Sequence, residues 1–142
     1  MIVPDANLLI YAYQEDSPFH SGARRWLEDL LSGAEAVGLA WAVILAFLRV
    51  ATDPRILTRP AEFSAAAQVV GDWLGFPHVR VVAEPAGHWP ELRALLANAQ
   101  VRGPAIMDGH LAALTIAYGA VLHTHDRGFA RFPGLRWRDP LA

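Results

Sequence analysis

The 142-residue sequence has no cysteine. That excludes disulfide scaffolds, thiolate zinc sites and a cysteine nucleophile. Charge is sparse, at 18% Asp, Glu, Lys and Arg, with 12 basic residues against 14 acidic and a formal net charge of −2. A surface coated in positive charge is therefore excluded, and any contact with nucleic acid must come from a local patch. Long apolar runs are missing too. The longest, Leu39 to Leu48, has ten residues, about half of what a membrane-spanning helix needs. The start MIVPDANLLIYAY has no basic region and meets an acid at Asp5, so it does not read as a signal peptide. No HExxH, GxSxG, GxxxxGK[ST] or GxGxxG pattern occurs. These absences lead to the expectation of a cytoplasmic protein that does not engage a membrane.

What is present is apolar residue in quantity: 54% of the chain, with mean hydropathy +0.23. Such a chain is not disordered, and part of its apolar excess suits a subunit interface. Strand and helix signals alternate. Met1–Pro4, Val37–Leu39, Val79–Val82 and Ala120–Leu122 read as short strands, with a last edge strand near Trp137. Phe19–Leu31, Trp41–Ala51, Ala61–Leu74, Trp89–Ala99 and Pro104–Tyr118 read as helices, several ended by Gly or Pro. Apolar strands separated by helices predict an α/β fold with a parallel sheet covered on both faces. No repeat or linker divides the chain, so one domain over 1–142 is expected.

In such sheets ligands bind beyond the C-terminal strand ends. Asp5 follows the first strand, Asp126 the fourth, and Asp108 lies near the start of the helix that leads into the fourth. That helix runs antiparallel to its strand and so begins at the same edge. Topology alone can thus bring three carboxylates together. Convergent carboxylates repel and raise one another's pKa. A hard divalent cation, Mg²⁺ or Mn²⁺, relieves this and can activate water against a phosphodiester. Each acid also has a plainer reading: Asp5 as a helix cap, Asp108 as a partner for the helix dipole, Asp126 as a turn residue. The histidines offer no metal spacing. His123 and His125 flank Thr124 without a third ligand, and His110 points away from Asp108 along its helix. Glu84 follows a strand and could approach the same edge.

The segments VPDANLLIYAY, WAVILAFLRVATDPRI, MDGHLAALTIAYGAVLHTHDRGFARFPGLRW and the closing DPL resemble the PIN-domain ribonucleases, and among them the VapC toxins of VapBC toxin–antitoxin pairs. The resemblance spans nearly the whole chain in order. It implies a PIN-like three-layer α/β/α sandwich around a short, mostly parallel sheet. It implies a metal-dependent endoribonuclease acting on RNA, such as tRNA or other structured RNA, with Mg²⁺ or Mn²⁺ held by Asp5, Asp108 and Asp126. By position, Asn7 matches the polar residue supporting the first acid. Thr124 matches a Ser/Thr whose hydroxyl positions a carboxylate or water, and Arg49 an Arg of the middle helix. Two positions depart from the pattern: Ala46 stands where many members carry Glu, and Gly128 where some carry Asp. These leave open whether one or two metals bind.

The resemblance further implies a cognate VapB-type antitoxin and a homodimer. Arg127, Arg131, Arg136 and Arg138, interleaved with Phe129, Phe132 and Trp137, could form a phosphate-gripping rim beside Asp126. The same aromatics could equally lie in the core. Trp73, Phe76 and Trp89 could form an exposed patch. A degenerate PIN fold that binds RNA or protein without cutting is the second reading, motivated by Ala46 and Gly128. A phosphatase-like hydrolase with Asp5 as nucleophile is a distant third, because Asn7 replaces its usual second aspartate.

Overall fold

The computed structural model describes residues 1–142. Five strands form one sheet in the order β3-β2-β1-β4-β5, and every pairing is parallel. They are β1 (Ile2–Pro4), β2 (Val37–Ala40), β3 (Val79–Val82), β4 (Val121–His123) and β5 (Trp137–Arg138). The six helices are α1 (Ala6–Tyr13), α2 (His20–Ser32), α3 (Trp41–Ala51), α4 (Phe63–Leu74), α5 (His88–Ala99) and α6 (Ala105–Ala117). A 3₁₀ turn covers Arg127–Arg131. The expected α/β sandwich is therefore the observed one.

β1 and β2 are buried at every position, as strands with helices on both faces must be. Pro4, Val37, Leu39 and Val79 face Leu9, Leu27, Leu30 and Trp73 of the α1, α2 and α4 layer. α6 packs on β4 and carries α5. Phe47 is fully buried at the α3 seam, with its ring 5.5 Å from Tyr13 and 4.7 Å from Trp73. Trp73 is thus a core residue, not part of an exposed patch; Phe76 and Trp89 are exposed. Phe129 and Phe132 are buried as well, so they anchor the 3₁₀ turn from below and are not an RNA platform.

α5 differs from the amphipathic expectation. None of its residues is fully buried, and Leu92, Leu95 and Leu96 are only half covered. α1 is a helix of its own that starts one residue after β1, and Asp5 caps it.

Gly38 lies in β2 between two paired strands. A Cβ there would stand 2.7 Å from Val82 Cγ1 and 2.9 Å from Met1 Sδ. Gly38→Ala is expected to lower stability by about 1–2 kcal/mol through overpacking, read as a lower urea midpoint with an unchanged slope.

Candidate active site

Three helix starts meet at the C-terminal edge of the sheet. Asp5 follows β1 and caps α1, its Oδ1 accepting from the Ala6 amide at 2.7 Å. Asp126 lies past β4 and caps the 3₁₀ turn, its Oδ1 accepting from the Gly128 amide at 2.8 Å. Asp108 sits in the first turn of α6. The plain capping roles of Asp5 and Asp126 are therefore real, and they coexist with the clustering of charge.

Thr124 joins two of the acids. It is fully buried. Its hydroxyl donates to Asp5 Oδ2 at 2.7 Å and accepts from the Asp126 amide at 3.0 Å. It also accepts from Asn7 Nδ2 at 3.4 Å. One donor and two acceptor positions are all that a hydroxyl has, so Thr124 is saturated. The Asp5 amide donates to the His123 carbonyl at 2.9 Å, closing β1 against β4 just before the two acids.

Electrostatics report the same convergence. Burial, chiefly, pushes the Asp5 carboxyl up to about 6; the bonds from Thr124 and Ala6 hold it down, and the charges of Asp108 and Asp126 raise it further. Asp108 is also raised, by burial and by Asp126, against the opposing guanidinium of Arg131. The three acids thus lie within Coulombic reach of one another. No three His, Asp or Glu side chains are gathered tightly enough to hold an ion as they stand. The donors nevertheless suit a hard cation: three carboxylates, of which Asp5 and Asp108 are partly desolvated, plus Asn7 Oδ1, a buried oxygen without any hydrogen-bond partner.

The other residues of interest divide. Arg131 donates from Nε to the Gly128 carbonyl at 2.8 Å. A Cβ on Gly128 would lie 2.9 Å from Arg131 Nη2 and 3.0 Å from Asp126 Oδ1. The missing side chain at Gly128 therefore leaves room for a guanidinium beside the acids. Arg127 is exposed and makes no ion pair. Arg49 is exposed near the end of α3, where it helps hold Asp53 below the usual carboxylate range after the stronger effect of Arg55. Ala46 is half-buried on α3. Arg136 is a correction: its guanidinium donates to the Gly119 carbonyl before β4, at the opposite edge of the sheet, so it belongs to no rim around Asp126.

Several contacts have no signature in the sequence. Glu84 does not approach the acids; it lies 3.4 Å from His110 Nε2, and His110 Nδ1 lies 3.0 Å from His88 Nε2. His125 Nδ1 pairs with the carboxylate of Asp139 at 2.8 Å. Trp26 Nε1 donates to His123 Nδ1 at 3.0 Å. These partners are 14 to 97 residues apart in the chain, and no local spacing announces them.

The parallel sheet carries acids just past β1 and β4 and in the first turn of α6 at its carboxyl edge, a donor set suited to a divalent cation. Residues 2–135 match the PIN domain family, and the chain belongs to that family. It is 39% identical over 142 residues to Ribonuclease VapC37 of Mycobacterium tuberculosis, covering 100% of this chain and 99% of that one. It is 38% identical over 139 residues to Ribonuclease VapC48 of the same organism, covering 97% and 96%. Among solved structures, VapBC2 from Rickettsia felis, bound to a DNA fragment from its promoter, shares the fold with TM-score 0.70 at 17% identity, covering 97% of this chain and 98% of that one. Mycobacterium tuberculosis VapC20, a Sarcin-Ricin loop cleaving toxin, superposes with TM-score 0.69 at 17% identity, covering 96% and 99%.

Proposed function

We propose that the chain is a single PIN domain acting as a divalent-metal-dependent endoribonuclease, the toxin of a VapBC-type pair. The observation that carries this is the Thr124 hydroxyl shared between Asp5 and Asp126, with Asp108 close enough to raise Asp5. A purely structural cap has no need of two further acids, Asp108 half-buried in α6 and Asp126 exposed past β4. Full-length relatives that are named ribonucleases support the reading over a binding module without activity.

Asp5, Asp108 and Asp126 are the residues that would hold Mg²⁺ or Mn²⁺, with Asn7 Oδ1 beside them. A cation bound there lowers the pKa of a bound water and offsets phosphate charge. The protein's own part is positional. Thr124 holds the Asp5 carboxylate against the backbone amide of Asp126 and so keeps the two residues side by side. Asp5, raised to about 6 in the metal-free chain, is ionised in most molecules at pH 7 and so open to a cation. Arg131 supplies positive charge for an incoming phosphodiester. A VapB-type antitoxin is the partner, and exposed Trp41, Leu45, Phe63, Trp89 and Met107 offer apolar surface for it and for a second copy of the chain. No helix is long and apolar enough to cross a membrane.

The direct test is RNA cleavage by the purified chain with Mg²⁺, with Mn²⁺ and with EDTA. Cutting is expected with either ion and not with EDTA; equal cutting in EDTA would end the proposal. Arg131→Ala is expected to weaken RNA binding several-fold and to flatten its salt dependence by about one ion. Calorimetry should show Mn²⁺ affinity no weaker in that variant, because the substitution removes a cation and not a ligand.

A further inference from the structure

A cleft of about 480 Å³ lies on the α2 flank of the sheet, next to the acids but separate from them. Phe19 and Trp26 give it aromatic walls, Arg25 and Arg138 line it, and Asp29 is its one acid. Neither arginine takes part in any ion pair of the structure. His123 also lines it. An indole N–H can only donate, so the bond from Trp26 makes His123 accept at Nδ1 and carry its proton at Nε2. That Nε2–H has no acceptor within the protein, and it is not sealed from solvent. The cleft therefore presents two free guanidiniums, two aromatic rings and one oriented neutral donor.

Its position relative to the acids is fixed by the chain. His123 ends β4; the next residue, Thr124, bonds Asp5; and the ring of His125 packs against Phe19 at 4.6 Å. Three residues of backbone lead from the cleft to Asp126.

We propose that this cleft seats the nucleotide adjacent to the bond that is cut, in a single-stranded stretch of RNA. Arg25 and Arg138 take its phosphate, Phe19 and Trp26 flank its base, and His123 Nε2–H donates to an acceptor on the base edge. All twelve basic residues of the chain are arginine, the side chain suited both to phosphate forks and to stacking on bases. An acidic peptide would satisfy the guanidiniums but would not need an oriented donor between aromatic walls. The proposal rests on the nuclease reading above.

The test is RNA binding in EDTA, which removes any contribution from a cation at the acids. The probe is a fluorescein-labelled single-stranded 12-mer, read by anisotropy across a salt series. Arg25→Ala/Arg138→Ala is expected to raise Kd at least tenfold and to make the salt slope shallower by about 0.7, the value for one phosphate on a single strand. Its Mn²⁺ affinity should match the parent's. Arg25→Lys/Arg138→Lys should restore the slope, which separates lost contacts from lost folding. Trp26→Phe, which keeps a ring but frees the His123 tautomer, should level the affinities for oligo(A), oligo(C), oligo(G) and oligo(U). Parental Kd and slope in the double alanine variant would overturn the cleft. So would intact RNA binding with lost binding of the antitoxin. If that variant binds RNA like the parent while Asp5→Asn no longer cuts, the cleft falls and the nuclease reading stands. If Asp5→Asn still cuts, the nuclease reading falls first.

Discussion

Asp5→Asn is expected to lower RNA cleavage by about three orders of magnitude and, in the same molecule, to stabilise the metal-free fold above pH 7. The first effect follows from removing a charged oxygen from the proposed cation site; a thousandfold loss corresponds to about 4 kcal/mol of transition-state stabilisation. The second follows from the Asp5 carboxyl, which titrates near 6 in the fold against 3.8 as the ordinary value. A raised carboxyl pKa means that the folded state prefers the protonated form. The contribution to stability is therefore fully present below pH 3.8 and is lost as pH rises through 6. At pH 7.5 the ionised group costs the fold up to about 3 kcal/mol. Asn avoids that cost but bonds Thr124 less well, so a gain of about 1–2 kcal/mol is expected. It should appear as a melting temperature a few degrees higher in EDTA at pH 7.5, with no gain at pH 4. A variant that loses activity without gaining stability at pH 7.5 would mean that Asp5 is not desolvated as described.

The second large effect is expected at Thr124. Thr124→Val keeps the shape and removes the hydroxyl. The Asp126 amide and Asn7 Nδ2 lose their acceptor, and Asp5 loses the side-chain bond that holds its pKa down. Stranding buried polar groups costs about 2–3 kcal/mol. The Asp5 carboxyl should move above 6, so the acid limb of the pH–rate profile shifts to higher pH. Activity at pH 6.5 then falls more than activity at pH 8. Thr124→Ser retains the donor and should restore both the profile and most of the stability. Equal loss at both pH values would assign Thr124 to packing alone.

The strand-and-helix alternation was legible because each strand is short, apolar and bounded by Gly, Pro or a charge. α1 was harder to separate, since its residues continue the apolar opening and only the Asp5 cap marks its start. The three acids were legible from position alone, because a parallel sheet assigns every strand end to the same edge. The basic segment was not. Arg136 and Arg138 are two residues apart, yet a strand step lies between them, and they reach opposite sheet edges. Phe129 and Phe132 look like partners of those arginines in sequence, but the 3₁₀ turn directs them into the core. The saturation of the Thr124 hydroxyl was also invisible: a Thr two residues before an Asp says nothing about Asn7, which is 117 residues away.

The strand order has a consequence for the timing of synthesis. β1 is hydrogen-bonded to β4, so Ile2 pairs with Val121 and Pro4 with His123. The central strand, made first, waits for one of the last. At about 5–20 residues per second, a ribosome needs roughly 6 to 24 s to travel from Asp5 to Asp126. Throughout that interval the nascent chain lacks Thr124 and Asp126, and Asp5 has neither its hydroxyl partner nor the second acid. The proposed RNA-cutting centre therefore cannot form on a nascent chain until Thr124 and Asp126 have been made and β4 has joined β1.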